Sequence, residues 1–322
     1  MCRGAGMSLP GSAYNSGITM TAQAQTEQQF VIHPATTLGY VHLTTADLEP
    51  QIAFYQSVLG FKVHGRKDGT ASLGAGRDDL LRLTELRGAR LARGTTGLYH
   101  FAVLVPSRWE LAHLLRRLVE TRTPIQGMVN HHTHLAIYIA DAEGNGIELA
   151  WDFPREQWPA PEDLMRLGNG PLDPEDLLGE LERDPSPWPG AHSDTRIGHV
   201  HLHVADLSAA GRFYQGVLGF QATFSYSAAR DFGALFVSAG GYHHHIGLNI
   251  WRGVGAPPPP GDAVGLRYFT IVLPSRTELD RVTARVRAAG IGGEEHAEGM
   301  LIRDPSHNGV LLTARTEPDR AE

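Results

Sequence analysis

Cysteine is nearly absent: the 322 residues contain one, Cys2. That excludes a disulfide framework and fits a reducing compartment, so the cytosol is the expected location. No run of about 18 apolar residues occurs, and no membrane-spanning helix is expected. Lys and Arg number 28 against 35 Asp and Glu, for a formal net charge of −7, and they form no stripe. A nucleic-acid surface is therefore not expected. A phosphate loop is missing too, because Gly144-Asn145-Gly146 reads as a tight turn ahead of a strand, not ahead of a helix. Histidine, by contrast, is plentiful at 17 residues and clustered, within an apolar fraction of 42% that is ordinary for a folded protein. Neutral imidazole is a common metal ligand, so the clusters direct the search to a metal site.

Residues 1–35 mix Gly, Ser, Thr, Gln and Ala without periodicity and read as a disordered tail. From Leu38 the pattern changes. Tyr40 to Thr45 alternates like a strand, Asp47 can cap a helix carrying Ile52, Phe54, Tyr55, Val58 and Leu59, and Gly60 ends it. Strand-like runs follow at 61–66, 71–73 and 80–85. A second cycle has a strand at 98–105, a helix at 107–121 and runs at 134–139 and 146–150. Each cycle is β-α-β-β-β.

Both cycles then recur. Tyr40-Val41-His42-Leu43 through Ala46-Asp47-Leu48 to Phe61 matches His199-Val200-His201-Leu202 through Ala205-Asp206-Leu207 to Phe220. Leu98 to Arg108 matches Leu266 to Arg276, and Asp141 to Glu148 matches Asp304 to Leu311. Three matched stretches in one order indicate an internal duplication. The expected layout is a tail (1–35), an N-terminal two-module domain (36–153), a linker (154–195), a C-terminal two-module domain (196–315) and a short tail (316–322). Within the linker, 174–181 reads as a helix; the prolines at 257–260 read as a stiff loop.

The stretch 238–251 carries the densest histidines. Read as a glycine turn and a strand, it puts His244 with Ile246, Leu248 and Ile250 on one face and His243, His245, Gly247 and Asn249 on the other. His199, His201 and His203 likewise share one face of their strand.

The strand–Ala-Asp-Leu–helix–Phe-Tyr…Val-Leu-Gly-Phe pattern resembles the vicinal oxygen chelate superfamily of glyoxalases, bleomycin-binding proteins and extradiol dioxygenases. The four-module length and the run Gly241-Tyr242-His243-His244-His245-Ile246-Gly247 resemble its catechol 2,3-dioxygenase-like branch. The resemblance spans 38–313. It implies an α+β fold of four βαβββ modules paired into two domains, each an incomplete barrel around a divalent metal. Ligand positions carried over are His199, His245, Tyr268 and Leu311 in the C-terminal pair, and Tyr40, Leu80, His100 and Glu148 in the N-terminal pair. The usual two-His-one-carboxylate set would fall on His199, Tyr268 and Leu311, which departs from that triad.

The favoured metal ligands are therefore His199 and His245, with His100 and Glu148 as a second candidate site that His42 could complete. His201, His243 and Tyr268 are the candidate catalytic residues: a histidine to take a substrate proton, the tyrosine to steady a substrate oxygen. Glu294, Glu295 or Glu298 could supply a carboxylate. His244 is expected on the apolar face as a structural residue; His131, His132 and His134 would add polar groups to the second candidate site but read as a loop ahead of a strand. The implied reaction is extradiol cleavage of a small catechol-type aromatic with O2, using Fe(II), or else Mn(II) or Zn(II), in a chain that could form a homo-oligomer. Two other readings stay open. One is a glyoxalase-like isomerase or thiol transferase on the same fold; the other is a non-catalytic binder of an aromatic drug or metabolite.

Overall fold

The computed structural model describes residues 30–223 and 232–315. Most of the expected 1–35 tail, Cys2 included, and the 316–322 tail lie outside the described residues. Residues 30–35 correct the tail's extent: Ile32 is 1% exposed, and its N–H donates to Gly219 O at 2.9 Å. An isoleucine there has enough apolar surface to draw the chain onto the fold.

Module one comprises β1 (Thr37–Thr45), α1 (Leu48–Leu59), β2 (Lys62–Lys67), β3 (Thr70–Gly74) and β4 (Leu81–Glu85), with a short β5 (Arg90–Leu91) after it. Module two is β6 (Gly97–Leu104), α2 (Arg108–Glu120), β7 (Gly127–Asn130), β8 (His134–Ala140) and β9 (Gly146–Asp152). The connecting stretch holds α3 (Pro161–Leu167), β10 (Gly170–Pro171) and α4 (Pro174–Arg183). Module three is β11 (Arg196–His203), α5 (Leu207–Gly211) running into a π-turn at Arg212–Val217, β12 (Gln221–Ala222), β13 (Ala234–Ser238) and β14 (Ile246–Asn249). Module four is β15 (Ala263–Leu273), α6 (Arg276–Ala288), β16 (Gly293–His296), β17 (Gly299–Arg303) and β18 (Gly309–Ala314). No helix among the described residues is long and apolar enough to cross a membrane.

Each module helix starts at a side-chain cap two or three residues past its strand: Asp47, Ser107, Asp206 and Ser275 accept from the first-turn N–H groups. Gly60 closes α1 at φ 69°, where a Cβ would meet the backbone N of Ala191 at 2.8 Å. The buried residues of α1, Ile52, Tyr55, Val58 and Leu59, return at helical spacing, and the helix packs against β2, β3 and β4.

The strands form two open sheets, as an α+β fold of incomplete barrels requires. One runs β16-β17-β18-β15-β1-β4-β3-β2, and the other β10-β7-β8-β9-β6-β11-β14-β13-β12. The expected contiguous units, 36–153 and 196–315, do not coincide with these sheets. Module one pairs with module four through antiparallel β1 and β15, and module two with module three through antiparallel β6 and β11. The two seams carry the same irregularities: bulges flank Val41-His42 on β1 and Val200-His201 on β11. The connecting stretch is packed rather than slack. Arg108 on α2 bonds Glu180 on α4 at 2.8 Å and also pairs with Asp176, and Trp188 Nε1 donates to Glu110 at 2.8 Å.

Candidate metal centre

The pairing of modules two and three puts one seam's inner face under His100, His199 and Glu148. Parallel β6 and β9 set Ala102 opposite Glu148, and His100 lies two residues back on the same face. β11 brings His199 in from the other side. His100 Nε2 and His199 Nε2 stand 3.0 and 3.1 Å from Glu148 Oε2 and 3.3 Å from each other. Glu148 Oε1 is taken by His134 Nε2 at 2.9 Å, which leaves Oε2 for the shared point. All three side chains are buried.

The electrostatics suit a cation. Burial alone would raise the Glu148 pKa, but the His199 imidazole beside it and hydrogen bonds from His100, His134 and His199 hold it well below the ordinary carboxylate range. Burial lowers His199, so its imidazole is neutral and has a lone pair to give. Three donors at right angles around a metal at about 2.1 Å would be about 3.0 Å apart. The observed separations of 3.0, 3.1 and 3.3 Å match that spacing.

A second layer surrounds this triangle. His134 stacks on His243 at 4.5 Å, and His243 Nε2 bonds Asp152 Oδ1 at 3.2 Å while Tyr242 O–H donates to Asp152 Oδ2 at 2.8 Å. His243 Nδ1 meets His244 Nδ1 at 2.9 Å, and the His244 ring packs 4.1 Å from His199. The Tyr138 hydroxyl lies 2.8 Å from His131 Nε2 and is hydrogen-bonded to Glu148. Asn169, from the connecting stretch, fixes the other nitrogen of His131 at 2.9 Å. His201 is buried between His100 (5.1 Å), Tyr99 (5.1 Å) and Trp251 (5.4 Å). Gly247 opposite it is required, since a Cβ there would meet the His201 ring at 2.8 Å.

The structure thus joins members of two separately expected sites, His199 from one and His100 with Glu148 from the other. It does not bring His245 to them. β14 begins only at Ile246, so period-two alternation fails across 243–245: His244 turns to His199, while His245 Nδ1 accepts the Ala239 N–H at 3.2 Å. The expectation of a structural His244 on the apolar face is corrected by the same observation. His243 and His201 stay beside the triangle. Tyr268 does not, because β15 belongs to the other sheet; its hydroxyl lies 3.3 Å from that of Tyr40. His42 is there as well, bonded to Thr84 at 2.7 Å, and Glu298 pairs with Arg82 and Tyr40. Glu294 and Glu295 lie exposed on β16.

Those residues fill the corresponding seam of the first sheet. There Tyr40, Tyr268, Leu311 and Arg82 stand where the second sheet has His199, His100, Glu148 and Gly247. Arg82 lies 3.8 Å over the Tyr40 ring and donates to its hydroxyl at 2.7 Å, so a guanidinium fills this cup. Among the described residues every His/carboxylate cluster of metal-holding size lies in the second sheet. Tyr138 and Asp152 were missed as site residues, and His134, expected in a loop, opens β8 instead. Alternation could have found them, since His134, Ala136 and Tyr138 share a face of β8, and Glu148, Ala150 and Asp152 share one of β9.

Paired βαβββ cups, one with histidines and a carboxylate converging on a point, define a class of metal-site proteins built by module duplication. The chain belongs to the Glyoxalase/Bleomycin resistance protein/Dioxygenase superfamily, which matches residues 37–149 and 196–312. It is 46% identical over 288 residues to the catechol-2,3-dioxygenase of Bacillus subtilis (strain 168), covering 88% of this chain and 98% of that one. Solved structures share the fold at low identity. A Bacillus subtilis protein described as a candidate dioxygenase superposes with TM-score 0.61 at 11% identity, covering 89% of this chain and 87% of its own. Glyoxalase I from Zea mays gives 0.54 at 15%, covering 87% and 92%.

Proposed function

We propose that the protein is an extradiol-type dioxygenase that opens a small catechol-type ring with O2, and that His100, His199 and Glu148 hold its divalent metal. The observation that carries this reading is the 3.0–3.3 Å triangle of donor atoms around an anionic Glu148. The 46% identical relative supports the activity. Two imidazoles and one carboxylate suit Fe(II) first, with Mn(II) and Zn(II) as alternatives. When bound, the metal would supply Lewis acidity toward vicinal oxygens, and Fe(II) or Mn(II), unlike Zn(II), would add the redox capacity that O2 chemistry needs.

The chain's own residues handle protons and orientation. Asp152 is ionised, since hydrogen bonds from His243 and Tyr242 outweigh its burial, so it only accepts. His243 Nε2–H therefore donates to it, which leaves His243 Nδ1 as an acceptor. The 2.9 Å contact then requires His244 Nδ1–H to donate, and His244 Nε2 keeps its lone pair. His244 is thereby placed to accept a hydrogen bond from a catechol hydroxyl; burial and the neighbouring imidazoles hold its pKa well below the ordinary histidine value, so it orients that proton. Burial and the Glu148 charge keep Tyr138 a neutral phenol, able to hold a substrate oxygen beside the carboxylate. His201, Tyr99 and Trp251 pack ring against ring beside the cup.

The test is metal content and catechol-dependent O2 uptake of protein purified without oxygen. Wild type and His245→Ala should carry near-stoichiometric metal, and His199→Ala and Glu148→Gln roughly a tenth of it or less. Metal retained in Glu148→Gln sinks the site. Metal-loaded wild type that consumes no O2 with any catechol sinks the reaction and turns attention to isomerase chemistry on the same fold.

A further inference from the structure

A cleft of about 840 Å³ opens where modules two and four meet, and none of His100, His199 or Glu148 lines it. Although acidic residues outnumber basic ones in the chain, no Asp or Glu lines this cleft. Arg93, Arg252, Arg267 and Arg303 do, together with His307. Arg93, Arg252 and Arg267 form no ion pair among the described residues. Asp141 and Asp304 lie behind it, but their carboxylates are buried and bonded within their own turns.

The internal duplication shows how the charge became one-sided. Gly97 with Leu98 and Gly265 with Leu266 line the cleft as matched pairs, as do Asn145 and Asn308. At the remaining matched positions the walls differ. Module four has Arg267, Arg303 and His307 where module two has Tyr99, Ala140 and Gly144. Arg252 matches Arg87, which is paired at 2.9 Å with Glu85; the counterpart of Glu85 beside Arg252 is Ile250. The cleft is thus cationic with its charges unspent, and beside the arginines Tyr99, 39% exposed, and Leu91, 50% exposed, offer apolar surface.

A second observation points into the same space. His203 lines the cleft and is 5% exposed, yet its Nε2 has no partner. Its state follows from its neighbours. Asn249 Oδ1 accepts the Trp251 backbone N–H at 3.1 Å, so the 2.7 Å contact from His203 Nδ1 must also be a donation. His203 Nε2 is then a bare acceptor, and a buried acceptor without a donor is costly. The matching position in module one is Thr44, also at the cleft.

We propose that this cleft binds a small hydroxylated organic carboxylate. Planar guanidinium forks pair with the carboxylate, Tyr99 and Leu91 cover an apolar body, and the ligand's hydroxyl donates to His203 Nε2. Inorganic phosphate would satisfy the arginines but leave the apolar surface unused. This site does not depend on the dioxygenase reading, because it shares no ligand with the metal cup.

The test is calorimetric titration of the full chain with 3-hydroxybenzoate, which carries carboxylate, ring and hydroxyl but no vicinal oxygens to chelate a metal. Wild type and His199→Ala should bind it alike, and Arg267→Gln/Arg303→Gln should bind roughly tenfold more weakly. Affinity in wild type should also fall between about 20 and 500 mM salt, a readout that needs no variant. The neutral 3-hydroxybenzyl alcohol and inorganic phosphate should each bind roughly tenfold more weakly than the acid. No binding of 3-hydroxybenzoate, indifference to salt, or equal affinity in the double variant would overturn the proposal. So would phosphate binding as tightly, or loss of binding in His199→Ala, which would put the probe in the metal cup.

Discussion

A histidine in this protein is defined by what its second nitrogen finds. His199 and His100 share one carboxylate oxygen, His134 takes the other, and His243 and His244 pass a single hydrogen bond outward from Asp152. Away from the cup, burial is the largest influence, with nearby cations adding to it. It lowers His42 to about 3 and His203 and His245 to about 4, so each is neutral in the folded chain. In the unfolded chain each titrates near 6.5. Below that value the unfolded chain binds protons that the folded chain refuses, so stability is fully present above about pH 6.5 and falls as pH drops toward the folded-state values. Each of the three should withdraw at most roughly 2 kcal/mol at about pH 5. Denaturation midpoints in urea at about pH 7.5 and 5 measure this. His42→Gln should flatten the slope between them; equal midpoints in wild type would refute the account.

At the level of elements, two equivalent buried hydrogen bonds are among the contacts that tie modules adjacent in sequence together when their sheets do not. Tyr55 on α1 donates to Asp141 at 2.8 Å, in the turn between β8 and β9 of module two. Tyr214, in the π-turn after α5, donates to Asp304 at 3.1 Å, in the matching turn of module four. The pairs occupy equivalent places in the duplication, and both acids also close their own turns through Asn145 and Asn308. Burial raises the pKa of Asp141 and of Asp304, so removing a donor leaves a buried oxygen short of a partner. Tyr55→Phe and Tyr214→Phe should each cost roughly 1–3 kcal/mol, read as a lower denaturation midpoint at unchanged slope. A loss below about 0.3 kcal/mol in both would show that the hydroxyls carry no tie. These elements were largely legible in advance, because caps, glycine stops and alternation are local signals. Asp47, Gly60 and the strand of Tyr40 did not need the rest of the chain. The stretch His243–His245 was misread for a local reason as well: a turn ahead of a strand looks like the strand's own alternation until hydrogen bonds mark where the ladder begins.

The four modules form a ring of alternating ties: sheet seams join one to four and two to three, while the tyrosine–aspartate bonds join one to two and three to four. Sequence order shows the second set of joins and hides the first, since pairing between strands so distant in the chain leaves no local mark. That is why His100 and His199 read as members of different sites, although every residue of the triangle had been singled out. The ring also decides what a fragment can do. Cut between the two repeats, residues 1–190 would retain β1 and β6 without β15 and β11, the partners of their whole inner edges. Each half would expose two unpaired edges flanked by buried apolar faces, Val41 and Leu43 on one and Phe101 and Val103 on the other, all at most 1% exposed in the intact chain. Neither half should fold as a monomer. Expressed alone, each should aggregate or associate, and co-expression should restore a soluble 1:1 complex with the metal-binding capacity of the intact chain. Sedimentation and far-UV circular dichroism decide it. A monomeric, cooperatively folded N-terminal half would mean that modules one and two can pair with each other, and that the seams are a choice of the full chain rather than a requirement of its strands.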